Sequence, residues 1–241
     1  MREALTPITF SLDFVIGGRH APWFLALEKG YYREAGLNVT ITPGQGSAGV
    51  IQRLASGDAQ FAFADFAGVL LARSQGTHVR ETAVIYAKAP YTIFTLRSSG
   101  IDTLKALEGK RLITNAGSAT PSIFAVVARL NGIDLSRIEW NNVDPNTKTQ
   151  LLVNGQADAT EYFLMQRPIL ERAAADRGGI NTILLADYGL QLYSNGITTT
   201  DDYIARNPDL VRGFVAASLK GFERAFEAPE EAIEAVLKHA P

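Results

Sequence analysis

Ile8, Phe10 and Leu12 alternate with polar neighbours, a period of two that predicts a strand ending at Asp13. Residues 15–20 read as a loop. Pro22 suits the first turn of a helix that runs through Leu27 and stops at Gly30. Val39 and Ile41 predict a second strand. Ser47 is placed to cap a helix carrying Val50, Ile51 and Leu54, which Gly57 ends. Phe61 and Phe63 predict a third strand ending at Asp65, followed by a helix through Leu70 and Leu71.

The same order returns roughly 100 residues later, a spacing far too long for a solenoid repeat. Residues 111–115 read as a strand, 123–130 as a helix, 138–143 as a strand, 147–153 as a helix and 158–163 as a strand. Leu54-Ala55-Ser56-Gly57-Asp58-Ala59 resembles Leu152-Val153-Asn154-Gly155-Gln156-Ala157, and the first run is expected to end in Asp65 and the second in Glu161-Tyr162. Strand–helix alternation implies an α/β architecture of open, mostly parallel sheets flanked by helices. Two copies imply two similar lobes. Residues 91–96 and 196–200 are extended stretches that flank the second copy, and they are expected to connect the lobes. Lobe one is then 1–95 plus 197–241 and lobe two 96–196, with a ligand cleft between them and a hinge near Thr95 and Thr198. Residues 209–228 and 230–239 predict terminal helices separated at Pro229.

Composition narrows the function. The chain of 241 residues has 46% hydrophobic and 20% charged residues, ordinary for a globular protein. A net charge of -2 gives no support to nucleic acid as a partner. The absence of cysteine excludes disulfides, thiolate metal sites and cysteine nucleophiles. Residues 1–7 hold no basic and apolar leader, so in an exported protein the leader would have been removed.

In open α/β sheets ligands bind beyond the carboxyl ends of the strands. That rule nominates Asp13 and Phe14 with the loop to Trp23, the loop 44–48 with Ser47, Asp65, the loop 117–122 with Gly117, Ser118 and Thr120, and Glu161 with Tyr162. Free N–H groups at a helix start favour an anion, although Ser and Thr there also act simply as caps. His20 lies beside Arg19 in a glycine-rich loop, with no acidic or histidine partner at metal-ligand spacing. Trp23 suits a core as well as a cleft. A strand-end carboxylate such as Glu161 would pair with a ligand amine or N–H, and Phe14, Trp23 or Tyr162 would stack on a planar solute. A bare oxyanion would meet Asp13 and Glu161 with only Arg19 and His20 to offset them, so an aminopyrimidine-like solute is favoured over nitrate, and a sulfonate stays open if the helix starts at Ser47 and Ser118 dominate. No Gly-x-Ser-x-Gly elbow and no lysine in a nucleophile context is evident, so catalysis is not expected.

The run from Leu12 to Tyr32, with Ala26-Leu27-Glu28-Lys29-Gly30-Tyr31-Tyr32 inside it and Gly36-Leu37-Asn38-Val39 after it, resembles periplasmic proteins that bind thiamine pyrimidine precursors. It is also similar to the wider group that binds nitrate, taurine and other sulfonates, as are Leu54 to Phe61 and Leu107 to Leu112. The resemblance implies a two-lobed, type II periplasmic-binding-protein fold and the role of solute-binding component of an ABC importer. It implies an extracytoplasmic, monomeric protein that serves a membrane permease and needs no cofactor. In the pyrimidine-precursor branch the first strand is followed by Asp-Trp, Pro-Asn and a His; here Asp13 and His20 hold those places, Phe14 replaces the Trp, and Ile16-Gly17 replace Pro-Asn. Eukaryotic relatives that synthesise the pyrimidine carry a cysteine-rich motif that this chain lacks. Members of the group usually continue beyond the equivalent of Pro241, which implies a chain short of its last helices. The alternatives are an effector-sensing domain, which would carry a helix-turn-helix before the first strand, and an enzyme on the same scaffold, such as a relative of the pyrimidine-precursor synthases.

Overall fold

A computed structural model describes residues 4–239. Met1 and Pro241, on which the readings about a leader and about missing terminal helices depend, lie outside the described residues. The chain divides into two compact units, Met1–Ile85 with Asn195–Pro241, and Tyr86–Ser194. The crossings therefore fall at Ile85–Tyr86, well before the expected Thr95, and at Ser194–Asn195, a few residues before the expected Thr198.

In the first unit, strands β1 (Thr6–Ser11), β2 (Leu37–Thr42), β3 (Phe61–Asp65) and β4 (Val79–Val84) join the chain's last strand, β10 (Asn195–Thr200). The sheet order is β2-β1-β3-β10-β4, with β10 antiparallel to both neighbours. Every residue of β3 is buried, as expected of a central strand covered on both faces. One face is covered by α3 (Ser47–Ser56) and α4 (Phe66–Ser74), which pack Val50, Ile51, Leu54 and Val69 on Ala62, Ala64 and Val79. Helices α1 (Ala21–Glu28), α2 (Tyr31–Glu34) and α9 (Pro208–Glu227) pack together, and α9 lays Phe214 flat on Phe61 with ring centroids 4.0 Å apart and edge-on to Phe10. Two more helices, α8 (Asp201–Arg206) and α10 (Pro229–Leu237), complete the unit. Pro229 opens α10 at a position where its missing N–H costs nothing.

In the second unit, β5 (Tyr91–Leu96), β6 (Arg111–Thr114), β7 (Glu139–Asn142), β8 (Ala159–Phe163) and β9 (Ile180–Leu184) form a sheet of order β7-β6-β8-β5-β9. This is the order of the first sheet, with β5 as the antiparallel strand. Helices α5 (Thr120–Leu130), α6 (Lys148–Val153) and α7 (Arg167–Ala173) flank it, and Leu152, Leu170 and Ala174 pack on Phe94, Leu96 and Ile180.

The pairing explains the boundary correction. All six residues of β5 are buried between β8 and β9, so the segment expected to connect the lobes is a strand of the second sheet. Residues 86–95, expected in lobe one, belong to the second unit, and Asn195 and Gly196, expected in lobe two, belong to the first. Thr95 and Thr198 lie fully buried inside β5 and β10.

Candidate functional site

The first unit gathers buried polar groups where β1 ends. Leu12 N–H bonds to Thr42 O, which extends the ladder to the edge of the sheet and leaves Asp13 just past it. The chain is held there by the loop after β2: Gly46 N–H donates to Asp13 O at 2.8 Å and Gly44 N–H to Phe14 O at 3.2 Å. A Cβ on Gly44 would overlap Leu12 O, so this close backbone approach requires glycine. Asp13 Oδ2 accepts from Arg19 Nη1 at 2.9 Å and from Asn195 Nδ2 at 2.8 Å, while Oδ1 faces His20 Nε2 at 3.0 Å. His20 Nδ1 accepts from Gly17 N–H at 3.2 Å, so the hydrogen-bond pattern assigns the ring proton to Nε2, which donates to Asp13. Burial, reinforced by Arg19, holds the His20 imidazole below its ordinary value against the pull of Asp13. Burial opposes ionisation of Asp13, but Arg19 and His20 outweigh it and the carboxyl titrates below its ordinary value. The cluster is thus one carboxylate, one guanidinium and a neutral imidazole, balanced in charge.

The second unit has its own cluster. Glu161 on β8 is buried, and Lys148, the first residue of α6, is buried against it, with Nζ 2.6 Å from Oε1. Thr114 Oγ1 donates to Oε1 and Thr120 Oγ1 to Oε2, each at 2.9 Å. The ammonium also donates to Asn115 Oδ1 at 3.2 Å and lies 4.2 Å from the centre of the Tyr162 ring. Burial pushes the Lys148 ammonium below its ordinary value, and Glu161 opposes that shift. The Tyr162 hydroxyl pairs with Thr149 Oγ1 at 3.2 Å. This cluster too is charge-balanced, one acid to one base.

These contacts change the sequence reading. The two carboxylates are not offset by Arg19 and His20 alone: Lys148 pairs with Glu161, and both oxygens of Glu161 accept from protein donors. Ser47 does not cap α3; it is the helix's first residue, and its Oγ accepts from Asp65 N–H at 3.0 Å, joining the end of β3 to the start of α3. Asp65 caps α4, accepting from Ala67 N–H at 2.9 Å. Ser118 Oγ accepts from Thr120 N–H at 3.2 Å, and Gly117 turns the chain before it with φ +81°. Trp23 is fully buried among Phe10, Phe63 and Phe222, a core residue of the first unit. Phe14 and Tyr162 stay half-buried. Thr114, Asn115, Lys148 and Asn195 are the cluster members that sequence reasoning missed. Among the described residues there is no cluster of His, Cys, Asp or Glu fit to hold a metal ion, and no helix long and apolar enough to cross a membrane.

Two sheets of the same strand order, each with one antiparallel strand, are the architecture of periplasmic solute-binding proteins. The aliphatic sulphonate binding protein SsuA from Escherichia coli superposes with a TM-score of 0.76 at 15% identity, over 97% of this chain and 78% of that one. The family model described as "NMT1/THI5 like" matches residues 18–232, and the chain belongs to that family. It is 29% identical to riboflavin-binding protein RibY of Chloroflexus aurantiacus, over 100% of this chain and 68% of that protein. It is 26% identical to the formylaminopyrimidine-binding protein of Halalkalibacterium halodurans, over 98% of this chain and 71% of that protein. It is 22% identical to the 4-amino-5-hydroxymethyl-2-methylpyrimidine phosphate synthase of Legionella pneumophila, over 100% of this chain and 76% of that protein.

Proposed function

We propose that this protein is the extracytoplasmic solute-binding component of an ABC importer, a monomer that delivers a planar, uncharged nitrogen heterocycle to a membrane permease. The observation that carries the choice of solute is the charge balance of both buried clusters: Arg19 offsets Asp13 and Lys148 offsets Glu161. A buried anion or cation needs an opposite charge, and neither cluster has one to spare. A neutral ring needs stacking surface and a few hydrogen bonds; the half-buried Tyr162 ring and the Ser118 hydroxyl offer both in the second unit, and Phe14 offers a half-buried ring in the first. Riboflavin and formylaminopyrimidine, named for two relatives, are planar heterocycles of this description. The alternative from the synthase relatives is catalysis; we favour binding without turnover because two binding proteins stand above the synthases in identity.

Calorimetric titration with riboflavin, formylaminopyrimidine and an alkanesulfonate tests the reading. Saturable binding of a heterocycle and none of the sulfonate is the expected outcome. Binding of the sulfonate alone overturns the charge argument. Mass spectrometry of the bound solute after prolonged incubation tests turnover, since a change in its mass would favour the synthase alternative.

A further inference from the structure

Glu81, on β4, has no place in either cluster, yet its surroundings are unusual. The strand pairs with β10 antiparallel, and the register shifts at Ile197/Thr198, which brings Glu81 opposite Thr198. A Cβ on Gly196 would overlap Glu81 Oε1 and Ala83 O, so the carboxyl occupies the space that a side chain at 196 would fill. Glu81 Oε1 and Thr198 Oγ1 are both buried and have no hydrogen-bond partner among the described residues. The residue before Gly196 is Asn195, whose amide donates to Asp13.

We propose that Glu81 is a positioning residue for the Asp13 cluster: packed on Gly196, it sets the start of β10 so that Asn195 meets Asp13. Burial pushes the Glu81 carboxyl up to about 8, and Asp65 adds to the shift. The elements packed on β4 are β10, α4 and α3. Between Asn195 and Thr200, β10 carries no titratable side chain. Arg73 of α4 is engaged by Val79 O and Asp201, Arg53 of α3 by Ser11 and Thr42, and Arg80 of β4 itself by Asp201. No cation is thus shown paired with Glu81, and ionisation would place a second carboxylate near Asp65, with its Oε1 buried. The sign follows. The folded form keeps a proton that the unfolded chain has lost, so this contribution is full below the ordinary carboxyl range and is lost as pH rises through about 8. Above that pH, repulsion under Gly196 loosens the start of β10 and, with it, the hold of Asn195 on Asp13.

The relevance to solute rests on the function proposed above, but the experiment needs no solute and so fails or succeeds independently of it. Exchange protection of the His20 Nε2–H, which donates to Asp13, is followed by NMR from pH 6.5 to 9.5 in the wild type, Glu81→Gln and Glu81→Ala. The expected result is a loss of protection in the wild type relative to Glu81→Gln, with a midpoint near 8. Glu81→Gln keeps a neutral group of the same shape and should hold its protection. Glu81→Ala should have lost protection already at pH 7. Identical profiles in wild type and Glu81→Gln, or wild-type protection in Glu81→Ala, would overturn the proposal.

Discussion

The Lys148→Met substitution isolates the electrostatics of the second unit. Methionine keeps most of the volume of the lysine stem and removes the charge. Glu161, 4% exposed, would retain Thr114 and Thr120 as donors but lose its counter-charge at 2.6 Å. Removing one partner of a buried ion pair costs about 3–5 kcal/mol, because the other charge stays buried and unpaired. At about 2–4 °C per kcal/mol for a chain of this size, the melting temperature should fall by roughly 6–20 °C. Adding Glu161→Gln removes the second charge, and the double variant should return to within about 1 kcal/mol of the wild type. The chain has two tryptophans, Trp23 in the first unit and Trp140 in the second. Urea unfolding followed by fluorescence in a Trp23→Phe background therefore reports the second unit alone. A single variant that costs under about 1 kcal/mol, or a double variant whose loss equals the sum of the two singles, would refute the coupling.

Trp23→Phe itself should change the affinity for a bound heterocycle by less than about twofold, since Trp23 is core; a loss of tenfold or more in calorimetry would mean that the ring reaches the solute. His20→Gln should flatten the acid limb of the stability profile: the folded imidazole stays neutral where the unfolded one, near 6.5, is protonated, so this contribution is present above about 6.5 and lost as pH falls below it. Urea midpoints between pH 7 and 5 that fall equally in variant and wild type would contradict this. Gly44→Ala should destabilise the first unit by about 1–3 kcal/mol, because a Cβ there overlaps Leu12 O and forces the loop off Asp13; an unchanged urea midpoint would show that the loop yields freely.

What was legible in the sequence was whatever local periodicity and punctuation encode. Ile8, Phe10 and Leu12 alternate, and β1 forms there; Gly57 and Gly155 end α3 and α6 at matching places, which exposed the duplication. The partners of β5 and β10 were not legible. A strand inserted antiparallel between two parallel ones looks like any other apolar run, and only its pairing says which sheet owns it. Asp13 and His20 were nominated from their place after β1 and do meet. Asn195 meets them from far along the chain, and nothing local to Asn195 announces that contact. Lys148 was hidden for a related reason. A lysine opening a short helix reads as a solvated side chain, yet this one is 1% exposed.

The duplication gives the Lys148–Glu161 pair its meaning. In the frame that aligns Gly57 with Gly155, Lys148 corresponds to Val50, and the register of β3 and β8 makes Glu161 correspond to Phe63. Both Val50 and Phe63 are buried and apolar. The first unit thus shows that this strand and helix fold with apolar residues at these positions, so the fold does not require an ion pair there. Nor does stability favour one, because well-packed apolar residues commonly match or exceed a buried pair. Lys148 also opens a helix, the end at which a cation is disfavoured. A side-chain pair that departs from local preference, and that the other copy does without, is best explained by what it does beyond folding. The Lys148→Met, Glu161→Gln double variant separates the two roles: it should fold close to wild-type stability while losing affinity for the heterocycle, and full affinity in that folded variant would return the pair to a structural role.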